Sequence, residues 1–425
     1  MLNGRDYLIK QERPTENPYI NNDIKVVGST KEKILLEQLD SIAFECNEIE
    51  FVKRKFANLI IIKNEELNFK EFIDHPKFFI KESKIKKSIN PSNISGLNVV
   101  SVDGSSVIKK FMTIDFSFLK AIAVKYHFYE NKDAKIEYFP DLYGFNNYSI
   151  KSNLFNTNEQ FVDINTSLNM NFMEIQLINE LINKKNNIEL IILDGSVVIM
   201  PINLLFSKDP LITNKYDILL KEYQKLYKNC REKGIILIGS IKDTRTSALS
   251  NLLKDSIQLL KPNYSFLHEF LEIGYRNVIK YYSDLDLFSR ILKKNERSCI
   301  FNCKREIDKI RDTGKKKEIP YYFPFTFYAF YLKTTKYDFP CRIEFFMDEK
   351  HNLEEATKKA DLISSIILPI SSLNDYYGLP IPQIEAHKRA VFNSQEINLL
   401  FNNLERKLRN YGINLIEKRR NRRPF

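Results

Sequence analysis

Residues 98–105 read NVVSVDGS and residues 189–196 read ELIILDGS. Each is a short apolar run ending in Asp-Gly-Ser. Runs of this length, bounded by turn formers, fit strands buried on both faces; a helix needs ten residues or more. With only 12 glycines in 425 residues, the same tripeptide behind two such runs is hard to obtain from turn chemistry alone. A third run, GIILIGS (234–240), leads into the polar turn KDTRTS (242–247). Helical spacing fills the intervals before the second and third runs, over 169–185 and 212–233. Strands alternating with helices build a parallel stretch of sheet, and ligands of such sheets gather at the carboxyl ends of the strands. Asp103 and Asp194 are expected there, each followed by a glycine that permits a tight turn.

Outward from these runs, residues 111–129 and 135–139 alternate in the manner of antiparallel strands, and strand-like segments return at 321–333 and 341–347. Helices are expected over 247–295 and 352–370, and the segment GLPIPQIEAHKRA (378–390) precedes a basic C-terminal helix. The fold class is therefore α/β, a mixed sheet flanked by helices. Three parts are expected: a helical and irregular extension over 1–94, a main domain over 95–395, and a basic helix and tail over 396–425. In the extension, Ser29 and Glu32 form a capping-box pattern. Behind it Leu35, Leu39, Ile42, Cys46 and Ile49 make a narrow helical seam for core packing or a subunit contact.

Composition excludes several classes. Hydrophobic residues at 43% and charged residues at 28% argue against a largely disordered chain. No apolar stretch approaches the ~20 residues of a membrane span, and the first residues lack the apolar core of a secretory leader, so a cytoplasmic protein without a membrane partner is expected. The five scattered cysteines suit buried thiols better than a disulfide framework or, for Cys299 and Cys303, a zinc site. Neither a phosphate-binding GxxxxGK[ST] loop nor a dinucleotide fingerprint is present. The net charge is +11, and residues 401–425 hold eight Lys and Arg against two Glu. Smaller basic clusters lie at 81–87 and 304–317. Such patches suit a polyanion.

Two aspartates need at least one more acidic ligand to hold a hard cation. The helix before the second run offers Glu174 and Glu180. Glu174 shares the inward stripe of Ile178 and Leu181, whereas Glu180 points to solvent, so Glu174 is the candidate. Lys242 and Arg245, directly after the third run, open on the same sheet edge and suit a phosphate. His387 stands beside Lys388 and Arg389 behind Pro380 and Pro382, again placed for a phosphate-bearing substrate. Arg419 and Arg420 belong to the basic tail.

In this order, VVSVDGSS (99–106), IILDGSVV (191–198), GSIKDTRTSAL (239–249), RIEFF (342–346) and GLPIPQIEAHKRA (378–390) resemble the NurA nuclease family over about residues 95–395. The resemblance implies a ribonuclease-H-like fold and a manganese-dependent DNA nuclease, with Mg²⁺ as the alternative ion and two ions per site. It implies 5′-to-3′ exonuclease and single-strand endonuclease action on DNA ends. It further implies a homodimer docked on a HerA-type hexameric DNA-translocating ATPase in end processing or defence. Carried over by motif, Asp103, Glu174 and Asp194 would be the metal ligands, with His387 as a further metal or phosphate contact; Lys242, from its place after the third run, would steady the phosphate. Lys242, Arg245, Lys388, Arg389, Arg419 and Arg420 would contact nucleic acid. The family commonly has a Tyr eight residues before the His. Here that position is Leu379, with Tyr376 and Tyr377 upstream. A catalytically weak DNA-binding or scaffold subunit of such an ATPase complex is the rival reading.

Overall fold

The computed structural model describes residues 30–70, 73, 80–141, 148–153, 159–184, 187–198, 209–257, 266–303, 325–348, 350–372 and 375–418. Arg419, Arg420 and the whole 304–317 basic cluster lie outside these residues. The chain divides into two compact units, Met1–Phe51 and Val52–Phe425. The described part of the first unit is the leading stretch of helix α1 (Thr30–Ile62), on which Leu35, Leu39, Ile42 and Ile49 of the seam are exposed. Among the described residues no helix is long and apolar enough to cross a membrane.

The second unit is built on one 11-stranded mixed sheet. Its strands are β1 (Lys86–Ser88), β2 (Asn98–Lys110), β3 (Asp115–His127), β4 (Lys135–Phe139), β5 (Tyr148–Asn153), β6 (Leu190–Asp194), β7 (Ile236–Ile241), β8 (Glu296–Ser298), β9 (Phe301–Asn302), β10 (Phe325–Lys333) and β11 (Cys341–Asp348). The order is β1-β8-β10-β11-β7-β6-β2-β3-β4, with β5 on β3 and β9 on β10. Within it, β4-β3-β2-β6-β7 is an antiparallel meander followed by two parallel strands. This is the ribonuclease-H-like arrangement. Strand β11 then returns antiparallel to β7 and carries the sheet onward.

The remaining helices labelled below are α2 (Glu159–Asn183), α3 (Pro210–Lys233), α4 (Ala248–Ile257), α5 (Asp284–Ile291), α6 (Leu353–Ser371), α7 (Ile381–Ala390) and α8 (Ser394–Asn410). The apolar runs supply both faces of the sheet, because alternate strand residues point to opposite sides. Val100, Val102, Ile191, Leu193 and Leu237 pack with the α2, α3 and α4 layer. Val99, Leu190, Ile192 and Ile238 pack with α6 and α7. A third cluster, around Phe111, Phe116, Phe118 and Ile397, docks α8 on the far end of the β2–β3 hairpin.

One local expectation is corrected. The first Asp-Gly-Ser does not end its strand: β2 runs on to Lys110 and stays paired with β3 throughout. What ends near Asp103 is the parallel pairing to β6, whose last registered pair is Val102 with Leu193. The antiparallel partner supplies the hydrogen bonds that keep β2 extended past that point. Helix α2 also starts earlier than its apolar stripe suggests, at Glu159, because its first turns pack on the prolonged hairpin, as in the Ser117–Thr166 hydroxyl contact of 2.6 Å.

Candidate functional site

Register brings the two aspartates together. Asp103 and Asp194 each lie one residue beyond the paired Val102 and Leu193, on strands about 4.8 Å apart. By strand alternation both side chains point to the face covered by α7. There the backbone of Pro380 leads into α7, and the helix sets Gln383 and His387 four residues apart on one face. His387 Nδ1 lies 2.7 Å from Asp103 Oδ2 and 3.8 Å from Asp194 Oδ2. Gln383, fully buried, donates from Nε2 to Asp194 Oδ1 (2.9 Å) and to the Ser240 carbonyl (3.2 Å). Ser240 Oγ returns a hydrogen bond to Gln383 Oε1 at 2.7 Å. One helix thus clamps both aspartates.

Glu174 arrives from the other face. Gly104 follows Asp103 and so faces α2, and a Cβ built there would sit 2.3 Å from Glu174 Oε1 and 2.9 Å from Met170 Cγ. The glycine of the first Asp-Gly-Ser therefore makes room for a carboxylate rather than for a turn. Glu180, exposed and hydrogen-bonded to Gln176 at 3.2 Å, is remote from this cluster. In the second tripeptide the glycine does serve a turn, Gly195 having φ 139°. That turn folds over Gly239 of β7, where a Cβ would lie 2.5 Å from the Gly195 carbonyl oxygen and 2.6 Å from Val197 N. Ser196 Oγ donates to the buried carboxylate of Glu344, which also accepts from Arg342 Nε at 2.9 Å.

Electrostatics follow from this crowding. Burial, then the neighbouring Asp194 carboxylate, raises the Asp103 pKa, against the lowering effects of His387 and the Gly104 N–H. Glu174 is raised well above the ordinary carboxylate range, by burial first and then by Asp103 and Asp194. Asp103, Asp194 and His387 offer ligand atoms within 4.8 Å of one another. Oxygen donors with one imidazole suit Mn²⁺ or Mg²⁺, and the mutual repulsion of three carboxylates is what a divalent cation relieves.

Two outcomes are expected of this geometry. Glu174 and Asp103 bind protons more tightly in the folded chain than in the unfolded one. Their contribution to metal-free stability is therefore full below about pH 4 and lost as pH rises through their raised values. A cation competes with those protons, so the rise in melting temperature caused by Mn²⁺ should grow between about pH 5 and about pH 8. Melting curves with and without MnCl₂ check this; a shift that ignores pH counts against it. Separately, Gln383→Leu should weaken Mn²⁺ binding by about 10- to 100-fold in calorimetry, because Asp194 loses the partner that orients it.

The remaining candidates divide. Lys242 Nζ is 2.7 Å from Asp194 Oδ2, so its ammonium is held by the cluster itself. Its loop is anchored where buried Asp284 accepts from the Leu249 and Ser250 amides at the start of α4, at 2.9 and 2.7 Å. Arg245 and Lys388 are exposed. Arg389 is engaged by Glu385 at 2.8 Å and lies over the Tyr138 ring. Leu379 is buried in the α7 core, while Tyr376 stacks on Tyr337. Cys299 and Cys303 are buried and not joined in a disulfide. Gln383, Ser196 and Glu344 are absent from the candidates read in the sequence. For Gln383 one signal exists, its four-residue spacing from His387.

The NurA domain matches residues 97–392, well over half of the chain and inclusive of every cluster residue named above. No curated protein matches the sequence. Among solved structures the chain is similar to the NurA nuclease from Sulfolobus solfataricus, at 16% identity and a TM-score of 0.47, covering 84% of this chain and 97% of that one. It is also similar to a NurA bound to dAMP and manganese, at 12% identity and a TM-score of 0.36, covering 87% and 95%. Endonuclease V from Streptomyces avermitilis follows at 13% identity and a TM-score of 0.29, covering 71% and 85%. This chain belongs to the NurA family of nucleases.

Proposed function

We propose that the chain is a manganese-dependent DNA nuclease that hydrolyses phosphodiester bonds, with its functional unit over 95–395. The observation that carries this is the meeting of Asp103, Asp194 and His387, with ligand atoms within 4.8 Å of one another at the edge of the parallel strands, beside a Glu174 whose pKa is raised by burial and by both aspartates. Asp103, Glu174, Asp194 and His387 would hold the metal, two ions being the expected number. When bound, divalent cations supply an activated water and charge neutralisation for the phosphodiester.

The side chains divide the remaining work. His387, half exposed with Nδ1 on Asp103, presents its other nitrogen outward to a phosphate oxygen. Lys242 is poised to pass from Asp194 to the phosphate once Asp194 takes a cation. Arg245 and Lys388 add exposed positive charge for the strand, and Arg419 and Arg420 extend it in the tail. Membership of the family supports 5′-to-3′ exonuclease and single-strand endonuclease action. It also supports a homodimer working with a HerA-type hexameric ATPase.

The test is cleavage of end-labelled single-stranded DNA with Mn²⁺, Mg²⁺ or EDTA. Cleavage that needs the metal is the expected result. Metal binding and DNA binding without any cleavage would instead favour the scaffold subunit.

A further inference from the structure

Among the described residues many lysines are neutralised within the chain. In KESKIKK (81–87), Lys84 pairs with Glu65 at 2.6 Å, Lys86 with Glu296 at 2.8 Å and Lys87 with Asp361 at 2.6 Å. On the hairpin side of α2, Lys110 meets Asp163 at 3.1 Å, Lys120 meets Glu396 at 3.1 Å and Lys418 meets Glu159 at 2.6 Å.

Lys215, in the second turn of α3, is different. It is half-buried, yet its ammonium donates to amide oxygens, Asn165 Oδ1 at 2.5 Å and Asn169 Oδ1 at 3.4 Å. Burial and the charge of Lys151 both lower its pKa, so a second cation lies close by, and among the described residues no carboxylate raises it. Lys151 and Asn153 alternate on one face of β5. Asn153 spends its Oδ1 on Asn165 Nδ2 at 3.2 Å, and its own Nδ2 is buried without a partner. Among the described residues three donors at this spot are left over: the third ammonium proton of Lys215, the buried amide of Asn153, opposite Asp115 in the β3–β5 register, and the exposed ammonium of Lys151. A half-buried cation without a counter-ion is costly, and an oxyanion held between Lys215 and Lys151 would offset both charges.

The place suits a strand held at the carboxylates. Asn169 and Asn165 precede Glu174 on α2 by five and nine residues, about 7 and 14 Å along the helix. At a rise of about 3.4 Å per nucleotide, that is two to four nucleotides. We infer that Lys215, Lys151 and Asn153 form a phosphate subsite that holds the backbone of the nucleic-acid strand two to four nucleotides from the carboxylate cluster. This rests on the nuclease reading and assigns that reading a specific contact along the strand.

The experiment measures binding of labelled single-stranded DNA in EDTA across a salt titration, with inorganic phosphate as a second probe. For Lys215→Met, the slope of log affinity against log salt should fall by about 0.7, and affinity at 0.1 M salt by about fivefold, the share of one phosphate contact. Lys151→Met should act in the same direction. Mn²⁺ binding by calorimetry should not change, and the melting temperature of Lys215→Met should stay equal or rise, since a desolvated cation is removed. Wild type that binds and cuts DNA while Lys215→Met keeps the full salt slope overturns the subsite alone. Stabilisation by inorganic phosphate that Lys215→Met abolishes, with no change in DNA binding, overturns the strand as its ligand. Wild type that neither binds nor cuts DNA overturns the nuclease reading itself.

Discussion

Asp194→Asn should reduce DNA cleavage by at least about a thousandfold while leaving the fold intact. Asp194 is the residue on which the site converges. Gln383 fixes one of its oxygens, Lys242 takes the other, and His387 lies 3.8 Å from that second oxygen. An amide keeps the shape and the Gln383 side of the network only in part, and it removes the charge that a divalent cation requires. Loss of several kcal/mol of metal-borne stabilisation corresponds to a thousandfold or more in rate. The metal-free variant should melt no lower than wild type, because one of three mutually repelling carboxylates is gone. Single-turnover cleavage, calorimetry with Mn²⁺ and a melting curve separate these terms. Wild-type cleavage by Asp194→Asn would remove the two-aspartate site altogether.

Gly239→Ala should destabilise the whole domain by about 3 kcal/mol and take the activity with it. The added Cβ would lie 2.5 Å from the Gly195 carbonyl oxygen, 2.6 Å from Val197 N and 3.1 Å from the Ser196 carbonyl carbon. All three are backbone atoms, so no flexible side-chain end can yield. Overpacking a tight core costs about 1–3 kcal/mol, and contact with backbone places this change at the upper end. The turn that would move carries Ser196, whose hydroxyl joins it to Glu344 on β11. It also follows directly on Asp194. A denaturant midpoint lowered without a change in slope, together with weakened Mn²⁺ binding, is the expected pair of results. Gly104→Ala offers the contrast: there the clash is with the Glu174 carboxylate and Met170 side chain, which can shift, so activity should fall further than stability.

Much of the fold was legible because its signals are local. Apolar runs of strand length, separated by helical spacing, state the order of β2, α2, β6, α3 and β7 directly. The inward stripe of α2 separates Glu174 from Glu180 by helical geometry alone. The C-terminal segment reads less well. Its basic helix ends at Asn410, and the described cations beyond and within it are partly spent, Arg409 on Glu405 and Lys418 on Glu159. Pairing across 259 residues, as between Lys418 and Glu159, leaves no mark in either stretch.

The order of apolar runs, the repeated Asp-Gly-Ser and the late His were enough to indicate a mixed α/β sheet and the carboxylates at its edge. Those features depend on composition and on periods of two and 3.6 residues, which neighbours in the chain determine. Folding alone decided that the first glycine serves Glu174 and that Gln383 holds Asp194. It alone decided that Lys242 is bound to the cluster and that Lys215 meets amide oxygens of α2. Each of these depends on which face of a strand meets which helix, and on whether a charge finds its opposite far away in the chain. A sequence states the charges; only the packed structure states which of them are already answered.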